Sequence, residues 1–237
     1  MIEKISSIKG RAIATRVDRF NATLPILLKV LSQTKEKQYM LQVGNKVVQS
    51  KSYQPLQVGQ NYYAIMRYSS LGEMMLTSLK AEVKFEKSPL SLEWKEIKEL
   101  LAQERGEELK QFGLDGMLRA QSKEEFVSFG YFMLGLQKKI LSFRFVDDED
   151  KECHIQLKKQ KKFLEFFALY PHLGAISGKL YDNQGVILEL RVQFESVVEF
   201  LRKHIGTLRE VGEVRLMLQD KITPLFVPQE SLLDLKI

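Results

Sequence analysis

Histidine and cysteine, the residues that most often serve catalysis and metal binding, are scarce in this chain of 237 residues. Three histidines (His154, His172 and His204) and a single cysteine, Cys153, are all of its imidazole and thiol groups. Only Cys153 and His154 are neighbours in sequence. Adjacent residues of a strand point to opposite faces, so this pair does not converge on one ion. Cys153 as a nucleophile would need a base and an oxyanion site, and no motif supplies either. The run Asp147–Asp150 lacks the central glycine and the distal glutamate that a calcium loop requires. No glycine-rich phosphate loop, serine elbow or kinase-like set occurs. The expectation is a protein that is not an enzyme, with no metal and no cofactor.

Charge is the other possible chemistry. The net charge is +6, but residues 1–85 carry 13 Lys/Arg against 5 Asp/Glu, while residues 86–237 carry 23 against 25. A basic first part suits an acidic surface or nucleic acid. Tyr39, Tyr53, Tyr62, Tyr63 and Tyr68 lie among Lys29, Lys37, Lys46, Lys51 and Arg67. Stacking aromatics among cations are what an oligonucleotide-binding barrel uses on single strands, and some of these tyrosines must instead fill the core. The densest basic run, Lys158–Lys162, reads as a solvated strand end or helix start.

The elements that would position these groups fall into an α+β arrangement. Ile26–Leu31, Lys37–Val43, Lys46–Ser50, Tyr62–Tyr68 and Met74–Leu79 read as short strands, with a two-residue turn at Gly44-Asn45. They predict a small β-barrel-like domain over 1–86. Leu-Gln-Val-Gly occurs twice, at Leu41–Gly44 and Leu56–Gly59, without matching flanks, so it marks no repeat. A helical segment follows over 87–139. There Leu92, Ile97, Leu100 and Leu101 recur at helical spacing, and Gly106, Gly113 and Gly116 break the pattern. A second helix opens at Ser122 with Glu125 as a capping box, burying Phe126, Phe129, Met133 and Leu136.

The C-terminal α+β domain spans 140–222. One hairpin, Ile140–Val146 with Cys153–Lys158, has an acidic tip. A second, Ile176–Tyr181 with Val186–Phe194, alternates buried Leu188, Leu190, Val192 and Phe194 with wet Glu189, Arg191 and Gln193. A helix capped by Ser196 and Glu199 buries Val197, Leu201, Ile205 and Leu208. A strand with Val214, Leu216 and Leu218 closes the domain, and 223–237 reads as an extended, mobile tail. Two proteolytic units are expected, joined near Phe85–Leu90. The lone cysteine suits a reducing compartment. The N-terminus lacks a signal-peptide core and no window suits a membrane span, so the expectation is a cytoplasmic protein without membrane insertion.

Two stretches resemble the flagellar hook-length control family. Gln54–Met66 (QPLQVGQNYYAIM) is similar to part of a small β-domain found in some members. Leu169–Glu210 resembles the family's C-terminal core: Leu-x-Pro, a Leu-Gly, an alternating strand, a Gly turn, a second strand, and a helix with a late Leu-Arg. Leu169, Pro171, Leu173, Gly174, Gly185, Leu190, Val192, Phe194, Leu201, Leu208 and Arg209 occupy those places. The resemblance implies a non-enzymatic flagellar assembly protein, exported through the flagellar apparatus, that switches export substrate specificity by protein contact. Its partner would be the cytoplasmic domain of the export gate. Pro171, Leu173 and Gly174, with Glu189, Arg191, Arg202 and Lys203 on the wet face, are the candidate binding residues. The alternative is a nucleic-acid-binding protein that uses an oligonucleotide-binding-like N-terminal barrel.

Overall fold

A computed structural model describes residues 23–52, 54–68, 74–102, 105–146, 151–182 and 185–228, with the short strand Ser6–Ser7. In β2 (Ile26–Lys35) Ile26, Leu28 and Val30 are buried while Leu27, Lys29 and Leu31 face out, the period-two signature of a half-buried strand. β3 (Gln38–Val43) does the same with Tyr39, Leu41 and Val43. It turns through Gly44, whose φ of +57° needs no Cβ accommodated, into β4 (Lys46–Lys51), with Val43 opposite Lys46. β5 (Asn61–Tyr68) and β6 (Met74–Ala81) follow. With β1 (Ser6–Ser7) they give an antiparallel sheet of order β1-β6-β5-β2-β3-β4. This corrects the expected barrel: among the described residues no ladder joins β4 back to β1, so the sheet curls around its core without closing.

The second sheet has the order β12-β11-β10-β9-β8-β7. It comprises β7 (Ile140–Val146), β8 (Glu152–Lys159), β9 (Phe163–Tyr170), β10 (Gly174–Asp182), β11 (Val186–Val192) and β12 (Val211–Leu218). All neighbours are antiparallel except β11 and β12, which run parallel. Parallel neighbours need a crossover, supplied here by α4 (Glu195–His204) and a short 3-10 turn, Ile205–Thr207. The acidic tip 147–150 lies outside the described residues. The basic run Lys158–Lys162 is the end of β8 and the turn into β9, the strand end that was one of its two expected readings.

Three helices, α1 (Trp94–Ala102), α2 (Gly106–Arg119) and α3 (Lys123–Gln137), sit at the β7–β8 end. Ile97 and Phe132 pack there with Phe143, Leu141, Ile155 and Leu157. Of the glycines expected to break this region, Gly106 opens α2, while Gly113 and Gly116 lie inside that helix and do the reverse. A Cβ at Gly113 would stand 2.2 Å from Met133 Sδ, and one at Gly116 2.1 Å from the Phe129 ring. The missing side chains therefore let α2 and α3 lie close together. Ser122 caps α3 by accepting a hydrogen bond from the Glu125 N–H at 3.1 Å, as expected. Phe126 is 48% exposed, however, and Phe132 holds the core position instead. The second expected capping box is absent. α4 starts at Glu195 behind buried Phe194, and the Ser196 hydroxyl caps nothing. Leu208 falls beyond the helix and is exposed.

β5 ties the two sheets together. Ala64 and Met66 enter the first core, while Tyr63 and Ile65 enter a second with Phe167, Leu169, Val192 and Val197. A strand buried on both faces reads as a continuous apolar run, which explains Tyr62–Met66. Phe85 meets Phe167 and His154 edge-on, the Ser88 hydroxyl donates to the Ser142 carbonyl, and Leu90 is buried. The expected junction is thus a packed stretch of chain. Residues 90–92 go on to pair with the outer edge of β7. The tail is also packed as far as it is described. Ile222 is buried, and the Phe226 backbone is clasped by the Gln156 amide, which donates to its carbonyl (2.9 Å) and accepts from its N–H (3.1 Å).

Candidate functional site: the charged face and open edge of the second sheet

The register of the second sheet fixes which side chains share a face. Leu141, Phe143, Ile155, Leu157, Phe166, Gly178, Leu190 and Leu216 lie on one face, which α1–α3 and α4 cover. The opposite face carries charge across five strands. Lys158 stands opposite Glu165, Glu165 opposite Lys179, Lys179 opposite Glu189, and Glu189 opposite Arg215. Directly opposed opposite charges stabilise a sheet, and like charges there destabilise it. This row alternates in sign from β8 to β12 and ends on a cation.

Glu189 is the best-connected member. It accepts from Arg215 Nη1 at 3.3 Å and from the Tyr181 hydroxyl at 3.4 Å, with Arg191 Nη2 at 3.8 Å. Arg215 also donates through Nε to Glu213 at 2.7 Å. The Lys179 ammonium lies 4.6 Å from the centre of the Phe163 ring.

The structure separates the candidate residues. Pro171, Leu173 and Gly174 form the β9–β10 turn. Gly174 is buried with φ +74°, and a Cβ there would press the Phe194 ring at 3.2 Å. Leu173 packs against the second core. These three shape the hairpin rather than a surface. Glu189 and Arg191 lie on the charged face. Arg202 and Lys203 stand on α4, across the sheet, exposed and without an ion pair among the described residues. No single flat surface holds all seven. The row itself was missed because each strand contributes only one member, and only the register lines them up.

Among the described residues no group of three or more His, Cys, Asp or Glu side chains could hold a metal ion. Cys153 is buried. Tyr39 and Tyr63 are core residues. The Tyr39 hydroxyl accepts from the Leu56 N–H at 3.2 Å, and the Tyr63 hydroxyl donates to the Tyr170 carbonyl at 3.3 Å. Neither can stack on a base. Tyr53 lies outside the described residues. A cleft of about 600 Å³ separates β6 from Asp220–Thr223, lined by Leu76, Ser78, Leu79, Gln193 and Ile222. Lys80 of β6 pairs across it with Asp220, and on the second sheet's side the Gln193 amide donates to the Asp220 carbonyl. No helix among the described residues is long and apolar enough to cross a membrane.

His154 is a buried titratable group. Phe85, Glu152, Arg144 and Lys87 surround it, and its Nδ1 has no hydrogen-bond partner. Burial pushes its pKa below the ordinary imidazole value, with Glu152 opposing in part. The unfolded chain therefore binds a proton there more readily than the native one. This contribution to stability is complete above about pH 6.5 and is lost as pH falls through the native pKa. His154→Gln should flatten the decline of the melting temperature between pH 7 and pH 5. A slope as steep as the parent's would show that other groups set it.

No family model matches the chain, and neither a curated protein nor a solved structure does.

Proposed function

We propose that the chain is a non-enzymatic flagellar assembly protein of the hook-length control type, which switches export substrate specificity by contact with the cytoplasmic domain of the export gate. One observation supports the reading above others. The segment that carries the resemblance, Leu169–Glu210, is a left-handed glycine turn at Gly174, two antiparallel strands joined at Gly185, and a helix. Of the apolar positions of that pattern, Leu169, Leu173, Leu190, Val192, Phe194 and Leu201 belong to or pack against the second core, while Leu208 is exposed.

The surface a gate protein would read is the α4 side, where Arg202 and Lys203 are exposed, because Arg191 is engaged by Glu189. Replacing Arg202 and Lys203 by Glu should keep the fold and weaken binding by roughly 1–3 kcal/mol if they sit at a hot spot. Arg191→Glu should weaken it less. Cells lacking the gene should make hooks of uncontrolled length with few filaments. Normal flagella in that strain would overturn the reading.

A further inference from the structure

The two edges of the second sheet are treated differently. Residues 90–92 cover β7, whereas β12 has no neighbour on its outer side among the described residues. Gln219 donates its N–H to the Val192 carbonyl at 2.8 Å. Strand alternation therefore turns the N–H and C=O groups of Val214, Leu216 and Leu218 away from β11, toward whatever lies beyond the edge. Proteins usually blunt such an edge with lysine or proline. β12 contains neither, and Met217 and Leu218 are exposed on it.

We propose that this edge joins two copies of the chain, with β12 pairing antiparallel to itself about a two-fold axis at Val214. The strand's only charges are Glu213 and Arg215, one on each side of that residue. About such an axis Glu213 of each copy faces Arg215 of the other, Leu216 faces the side-chain-free Gly212, and Val211 faces Met217. An isologous contact must be self-complementary in this way. The alternating row reaches the edge as Glu189 opposite Arg215, and the next strand continues it with a glutamate. The two sheets then form one sheet of twelve strands, with both α4 helices on the same side. None of this depends on the flagellar reading.

The test is sedimentation of the full chain over a range of concentrations at low salt. The parent should dimerise. Glu213→Arg and Arg215→Glu each oppose like charges twice across the axis, and each should weaken dimerisation at least about tenfold. Mixing the two variants restores opposite pairs and should recover association close to the parent's. Val214→Pro removes an outward N–H at a position where an edge strand tolerates proline, and should give a monomer with an unchanged circular dichroism spectrum. A parent that stays monomeric at every concentration overturns the proposal, as it would if the edge instead takes a strand from another protein. So does a mixture of the two charge variants that associates no better than either alone.

Discussion

Val192→Asp should leave the chain unable to fold, in both sheets together. Val192 is fully buried in the cluster that Tyr63 and Ile65 of β5 share with Phe167 and Val197. A carboxylate there has no cation within that cluster, and burying it unpaired costs several kcal/mol, of the order of a domain's whole stability. Because β5 also lines the first core, losing the second removes half of its burial. Circular dichroism and urea titration should show loss of structure throughout. A first sheet that persists with its own unfolding transition would show that the cores are independent. Leu190→Asp, at a partly exposed neighbour on the same face, should be milder.

Gly178→Ala is the second large effect, from a single added methyl group. Its Cβ would stand 2.2 Å from the Glu189 carbonyl oxygen and 2.6 Å from the Phe166 ring. A ring can rotate away, but a carbonyl in the β10–β11 ladder can move only with its strand. The expected loss is about 3 kcal/mol, the upper end of the usual range for overpacking. Phe166→Leu in the same chain should recover only part of it, since the carbonyl clash remains. A complete recovery in a double-mutant cycle would place the strain on the ring alone.

The parts of this fold that were legible in the sequence are those set by neighbours along the chain. The strands β2 to β8, the Gly44 turn, the Ser122 cap and the β10–β11 hairpin follow from alternation and turn chemistry within ten or so residues. What was misread or missed depends on distant contacts. Phe163–Tyr170 carries no assignment from sequence because it does not alternate: its C-terminal half, Phe167, Ala168 and Leu169, is buried whichever way each side chain points. Gly113 and Gly116 read as breakers because only α3 reveals why a side chain cannot fit. The tail's apolar residues read as mobile because their partner, Gln156, stands 70 residues away. Of the candidate site, the charged side of β11 at Glu189 and Arg191 was legible, but Gln193, expected to be wet, is buried with its amide on the Asp220 carbonyl. The charge row across β8 to β12 was not legible, since it exists only in the register between strands.

The orders of the two sheets impose different histories on the growing polypeptide. In the second sheet every strand lies beside the one made just before it, so each can zip onto its predecessor as synthesis proceeds, with short loops to close. Only β12 must wait for α4 to form and reverse the chain's direction. The first sheet cannot grow this way at its margin. β1 is made first of all, yet its partner β6 is the last strand of that sheet to be made. For that interval the β1 end of the nascent chain has no place to pair.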